Sequence, residues 1–318
     1  MSSTTSSVLR PSHLPAVELY RPAELGELLA HLVDGAHPLA GGTDIVVWAS
    51  QSGEPRRLAW TGGVHELHYL DVAGEQLCIG AAVTLSRIVR SSQFCSLAPA
   101  VTDGATVIGS VQLRNQATLV GNVCTASPGG DTIPGLQVHE AAVDIISSEG
   151  ARRSVSISDF VHAPGQTDLK EGEMVVGVTL SRLGQREGSA FRRFTQRNAL
   201  DLAVASVAAR VCFESDGCTV ARAHLSMGAV GPKVLNADDA ATLLVGYPLE
   251  SARLQACADV AAEQCMPIRE AVYIQPGTKR QIVDTKFFLV RVAGNLPGIV
   301  LGPQQAGMLS RPCQRTLQ

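Results

Sequence analysis

Two glycine-punctuated loops constrain this chain more than anything else in it. Leu39-Ala40-Gly41-Gly42-Thr43-Asp44-Ile45 is followed, about eighty residues on, by Thr118-Leu119-Val120-Gly121-Asn122-Val123-Cys124-Thr125-Ala126-Ser127-Pro128-Gly129-Gly130-Asp131-Thr132. Glycine lets the backbone approach a ligand closely and adopt positive φ, so several N–H groups can converge on one anion without a lysine. A Gly-Gly pair by itself is only a turn signal. The second loop adds Asn122, Thr125, Ser127 and Asp131, donors and acceptors in an otherwise small, apolar stretch. Together the loops favour one long diphosphate ligand.

Composition narrows what that ligand is. A chain of 318 residues with 45% hydrophobic content holds two or three domains. Its net charge of −3, with the 26 lysines and arginines scattered, supplies no field for nucleic acid or an anionic membrane. Trp48 and Trp60 stand apart from any basic stripe, which argues against a single-stranded nucleic-acid platform. The Ser/Thr-rich start has no apolar leader core, and no run approaches eighteen apolar residues, so a cytoplasmic protein off the membrane is expected.

Eight cysteines occur without a C-x-x-C pair, and the histidines lack metal-ligand spacing, so no metal is expected on this chain. There is no strand-borne G-x-G-x-x-G, no G-x-x-x-x-G-K-[ST], no H-E-x-x-H and no G-x-S-x-G. What remains for two glycine loops in an acidic chain is an extended dinucleotide held outside the Rossmann framework, with FAD the leading candidate.

Periodicity supplies the scaffold. Residues 17–22 read as a strand and 23–32 as a helix, with Leu25, Leu28, Leu29 and Leu32 on one face. The first loop therefore lies between a strand and a short helix around Ile45–Trp48. A strand is predicted over 76–81, a helix from Thr84, and further helices over 97–108 and 133–142. Strands at 143–147, 153–157 and 173–180 follow, the last closing the domain, with Ser181–Ser189 as the linker. Two extended segments, 203–213 and 218–230, are joined by Glu214-Ser215-Asp216-Gly217, whose Asp-Gly step is a strong hairpin signal. Helical stretches at 237–244 and 249–265 complete an α+β C-terminal domain.

The loop residues also carry a family resemblance. Residues 39–45, the run from Ile108 to Asp131 with Gln112-Leu113-Arg114-Asn115 ahead of Gly121-Asn122, and Gly130-Asp131-Thr132-Ile133-Pro134 resemble the FAD-binding medium subunit of the molybdenum hydroxylases. That family comprises xanthine dehydrogenase, aldehyde oxidoreductase and the carbon monoxide dehydrogenase flavoprotein. Phe191-Arg192-Arg193-Phe194-Thr195-Gln196-Arg197, residues 202–210 and residues 225–230 are similar to the start of its C-terminal domain.

The resemblance implies an α+β chain. Its parts would be a disordered lead-in (1–14), a two-lobed non-Rossmann FAD-binding domain of PCMH/VAO type (15–185, lobes about 15–65 and 66–185), a C-terminal α+β domain (190–300) and a loose tail (302–318). It further implies that Ala40, Gly41, Gly42, Thr43 and Asp44, flanked by Leu39 and Ile45, wrap the FAD diphosphate from one side. Thr118, Gly121, Asn122, Cys124, Thr125, Ser127 and Asp131 would do so from the other, with Asp131 accepting from a ribose or adenine-side hydroxyl. Ile108 and Gly109 would pass the isoalloxazine, Met174 or Val175 would lie near the adenine, and Arg192 or Arg193 would place a cation by the flavin. By resemblance, too, FAD is non-covalent and electrons arrive from an iron–sulfur small subunit serving a molybdopterin large subunit. They would leave to NAD⁺, oxygen or another acceptor. Two other readings remain open, a standalone FAD-dependent oxidase or dehydrogenase and a non-catalytic ligand-binding protein on the same scaffold. Val120 stands where the family usually has glycine, and Asp284–Arg291 matches only loosely its terminal Tyr-Arg-Arg helix.

Overall fold

A computed structural model describes residues 17–45, 47, 56–195, 197 and 201–266. The lead-in, the tail, the stretch from 267 onward with Asp284–Arg291, and Val46, Trp48 and Gln196 lie outside the described residues.

Strands β1 (Val17–Tyr20), β2 (His37–Leu39) and β3 (Arg56–Trp60) form a parallel sheet in the order β1-β3-β2. Helix α1 (Leu25–Val33) buries Leu28 and Leu32 beneath it. A second, antiparallel sheet takes β4 (Leu70–Ala73), β5 (Gln76–Gly80), β6 (Ala142–Ser147), β7 (Arg152–Ser156) and, beyond the small β8 (Val161–Ala163) and β9 (Gln166–Thr167) pair, β10 (Glu173–Ser181). Its order is β4-β5-β10-β6-β7. The strand expected to close the domain is therefore the central one, and the unbroken buried run Met174–Val178 is what a strand with neighbours on both edges and cover on both faces requires.

Between β5 and β6 come helices α2 (Leu85–Arg90), α3 (Ser92–Leu97), α4 (Pro99–Val107), α5 (Val111–Arg114), α6 (Leu119–Thr125) and α7 (Ile133–Val138). Thr84 caps α2, its hydroxyl accepting from Arg87 N at 3.3 Å. The helix predicted over 97–108 is broken at Ala98 (φ −144°), because the residue before Pro99 is sterically pushed out of the α region. The one predicted over 133–142 stops at Val138. Glu140 has φ +52° and turns the chain straight into β6, a conformation set by tertiary context and invisible to the helical period.

Helix α8 (Ile157–Phe160) completes this half. The linker is shorter than expected, since β11 begins at Glu187, and Arg182 is pinned by Nε to Gly74 O at 2.8 Å. Strands β11 (Glu187–Phe194), β12 (Ala205–Phe213), β13 (Val220–Gly228) and β14 (Leu235–Asn236) form an antiparallel sheet in sequence order. Helices α9 (Asp238–Ala241) and α10 (Ser251–Glu263) back it, packing Ala240, Leu254 and Cys257 against Val211 and Leu225.

One core joins the first two sheets, from Leu28 through Leu119 to Val178. The C-terminal sheet docks on helices α4 and α7 through Ala100, Val138, Phe191 and Ala208. A side chain on Gly135 would bring its Cβ within 2.7 Å of Ala100 O, so only glycine lets these helices approach.

His139 is the polar pin of that joint. It is fully buried, its Nδ1 lies 2.7 Å from Ser181 O, and its Nε2 lies 2.8 Å from Ser189 Oγ, which also accepts from Ala100 N at 3.2 Å. The carbonyl accepts only, so Nδ1 carries the proton and Nε2 accepts from the serine hydroxyl. Burial, reinforced by the Arg210 charge, lowers this histidine to about 4. Between that value and the ordinary 6.5 the unfolded chain binds a proton that the folded chain does not, so stability falls as pH falls through this window. The expected contribution is roughly 3 kcal/mol. Urea unfolding at pH 4 to 7 should show His139→Gln with a distinctly flatter acid dependence than the wild type, and an unchanged slope would contradict this role.

Candidate functional site

The first loop leaves β2 at Leu39. Gly41 then lies against the backbone of the second loop's approach: a Cβ there would come within 2.5 Å of the Gln116 carbonyl carbon and 2.9 Å of Ala117 N. Gly42 takes φ +71°, which L side chains rarely adopt. The adjacent glycines thus answer two different demands, close packing and backbone handedness.

The second loop is held by antiparallel strand-like pairing outside the sheets. Thr84 and Thr118 form an isolated bridge, Leu85 N donates to Ala117 O at 2.8 Å, and Leu119 N donates to Val83 O at 3.3 Å. Thr118 Oγ1 caps α6 by accepting from Gly121 N at 3.0 Å. Val120 sits inside this helix with its side chain in the core, so helical backbone makes its departure from glycine unstrained. The helix ends at Ala126 (φ +49°), and Gly130 N donates to Ser127 O at 2.9 Å in the turn beyond.

The structure brings the loops together. Thr125 Oγ1 lies 2.7 Å from Asp44 Oδ2 and 2.9 Å from Gly121 O, and Thr132 Oγ1 donates to Asn122 Oδ1 at 2.7 Å. Beside their junction is a cleft of about 350 Å³ lined by Ala40, Gly41, Gln116 and Thr118, with Trp60, Thr61, Gly62, His68, Ala82, Thr84 and Asn115 around them. Among the described residues no carboxylate lines it. Small residues, hydroxyls and amides that add no negative charge suit a diphosphate and its sugars.

Asp131 closes the second loop. It is 4% exposed; its Oδ2 accepts from Arg193 Nη1 of β11 at 2.6 Å, while Oδ1 is buried with no partner among the described residues. Burial raises this carboxyl to about 6 against the pull of the Arg193 guanidinium. An orphaned carboxylate oxygen at this depth calls for a donor, a demand that a ligand hydroxyl would meet.

The other expected residues are distributed unevenly. Gly109 has φ +50°, and Arg114 Nη1 fixes this turn by donating to Ile108 O at 2.9 Å and Gly109 O at 3.1 Å. Thr43 and Ile45 remain with the first loop, and half-buried Cys124 lies in α6, its thiol pushed up to about 12 by burial. Met174 and Val175 are instead core residues of β10, opposite Ile146 and Ile145, and do not line the cleft. Arg192 points to solvent while Arg193 turns inward. Sequence reasoning missed the wall at Trp60, Thr61 and Gly62, whose available signal was a third glycine pair, Gly62-Gly63, immediately after a strand. Among the described residues no group of three His, Cys, Asp or Glu side chains could hold a metal, and no helix is long and apolar enough to cross a membrane.

A parallel three-stranded lobe, an antiparallel five-stranded lobe and a cleft between glycine loops from each define a dinucleotide-binding scaffold of non-Rossmann type. The family model of the FAD-binding domain in molybdopterin dehydrogenase matches residues 15–182, and that of the carbon monoxide dehydrogenase flavoprotein C-terminal domain matches residues 189–290. The chain belongs to this family of molybdopterin-dehydrogenase flavoproteins, and FAD is its cofactor.

Among its relatives, the carbon monoxide dehydrogenase medium chain of Hydrogenophaga pseudoflava is 26% identical over 80% of this chain and 89% of its own length. The nicotinate dehydrogenase FAD-subunit of Eubacterium barkeri is 29% identical over 75% of this chain and 83% of its own. In fold, the chain is similar to the crystal structure of quinoline 2-oxidoreductase from Pseudomonas putida 86, with TM-score 0.81 and 24% identity over 89% of this chain and 99% of that one.

Substitution separates a cradle from a mere turn. Gly42→Val puts a branched side chain at positive φ, and Gly41→Ala drives a methyl into the Gln116 backbone. Both variants should purify with most of their FAD lost, read as the ratio of absorbance at 450 nm to that at 280 nm. Wild-type flavin content in Gly42→Val would show that the loop does not hold the cofactor.

Proposed function

We propose that this chain is the electron-transfer subunit of a molybdenum hydroxylase complex. It would take electrons from [2Fe–2S] centres on a small partner subunit and deliver them to NAD⁺, oxygen or another acceptor, while substrate is hydroxylated at a molybdopterin site on a large partner. The observation that carries this reading is the union of two distant glycine loops into one wall, fastened by the Thr125–Asp44 hydrogen bond and the Gly41–Gln116 backbone contact. The relatives named as a medium chain and an FAD-subunit support the division of labour.

Bound FAD would supply the capacity to accept two electrons and release them singly or together. The protein's part is binding and electrostatics. Backbone N–H groups of residues 40–44, with Thr118, Gly121, Asn122, Thr125 and Ser127, would flank the diphosphate. Asp131 Oδ1 would accept a hydrogen bond from a ligand hydroxyl, and Arg193 would favour the ionised carboxylate and hold it in place through its 2.6 Å contact. Arg192, solvent-facing on the same strand, adds positive charge that favours extra negative charge on the reduced cofactor.

Expression together with the neighbouring genes tests the assignment. A brown complex containing iron and molybdenum as well as flavin, in which substrate bleaches the iron–sulfur and flavin absorbance together, is the expected result. A yellow protein that purifies alone and is reduced directly by an organic substrate would contradict it.

A further inference from the structure

Trp60 ends β3 directly beside the first glycine loop. In the parallel register Leu39 pairs with Trp60, and Thr61 Oγ1 donates to Leu39 O at 3.3 Å. The indole lies on the backbone of the two glycines that follow. A Cβ on Gly62 would come within 2.5 Å of Cε2 and Cζ2 and 2.7 Å of Nε1, and one on Gly63 would meet Cε3 and Cζ3 at 3.6 Å. These contacts span both ends of the ring system, so the Gly62–Gly63 backbone covers the indole along its length. His68 Nε2 holds that backbone from 3.0 Å at Gly62 O, and Arg87 Nη1 donates to His68 O at 2.5 Å. Despite this bracing, Trp60 keeps 39% of its surface exposed and lines the cleft with Gly41, Gln116 and Thr118.

We propose that Trp60 is the stacking platform for the adenine ring of FAD, and that it makes the site selective for the dinucleotide over FMN. A large aromatic fixed by backbone on one side and open to a cleft on the other is suited to a planar heterocycle, because stacking removes apolar surface from both rings and needs no particular hydrogen-bond pattern. The end of the ligand follows from the loops. Asp131 and Arg193 lie past α6, beyond the lining of this cleft; Arg193 is the cation that the family resemblance places by the flavin, and its 2.6 Å contact carries Asp131 to that end rather than to the adenine side. With the diphosphate between the two loops, the opposite end at Trp60 is left for adenine. Asn115 and Gln116, whose amides both donate and accept, stand on the same cleft wall for the base edge.

This inference rests on the flavoprotein reading, and titration of flavin-depleted full-length protein distinguishes failure of one from failure of the other. Trp60→Ala should weaken FAD binding by about 10- to 100-fold, while Trp60→Phe stays within a few-fold and FMN affinity is unchanged in both. In a Trp48→Phe background, with Trp60 as the sole tryptophan, ADP alone should quench the fluorescence, a readout that does not depend on Trp60→Ala folding. Equal FAD affinity in folded Trp60→Ala, equal losses for FAD and FMN, or no quenching by ADP where FAD still binds would each overturn the stacking role alone. Wild-type protein that takes up neither FAD nor ADP would overturn the flavoprotein reading as well.

Discussion

The FAD-binding half depends on a backbone-to-backbone contact that only glycine permits. Gly41 sits where any Cβ would strike the Gln116 peptide, and that closeness brings a loop leaving the parallel sheet against the segment that leads into the Thr118 cap of α6. The other ties are individually modest. The Thr125–Asp44 hydrogen bond is solvent-exposed and worth on the order of 1 kcal/mol. The isolated Thr84–Thr118 bridge positions the second loop, and the core running from Leu28 to Val178 keeps the two lobes from separating. Shape therefore comes from packing rather than from any one of these bonds.

A second dependence joins the cofactor half to the C-terminal sheet. Its buried apolar patch is small, so polar groups share the work: His139 with Ser181 and Ser189, Ser226 with Gln137, and Arg193 with Asp131. The last pair is the consequential one, since it links a β11 cation to the last carboxylate of the second glycine loop. A buried ion pair of this kind is a weak source of net stability, because desolvation offsets the Coulomb gain, but it fixes geometry. Here it fixes a carboxylate whose second oxygen has no partner among the described residues. The C-terminal domain thereby holds the end of the second glycine loop in place.

Much of this was legible in the residues. Local signals located Thr84 as a cap, the Asp216-Gly217 hairpin and both glycine loops, because capping, turn chemistry and positive φ are properties of a few adjacent residues. What failed was non-local. Helical period ran through His139 to Ala142, but the turn at Glu140 is imposed by the docked strand that follows. Met174 and Val175 matched a family position yet sit in the middle of a sheet, a placement set by partners at 142–147 and 76–80 that a linear reading does not pair with them. Trp60 carried no helical or strand period of its own, and its place in the cleft depends on β3 lying beside β2.

A single cradle built from two distant segments has a direct test in amide hydrogen exchange of the full-length protein with and without FAD. Saturating FAD should slow exchange in residues 40–44 and 118–131 together, with the same dependence on FAD concentration in both. Protection confined to one segment, or appearing at different concentrations in the two, would contradict a shared site.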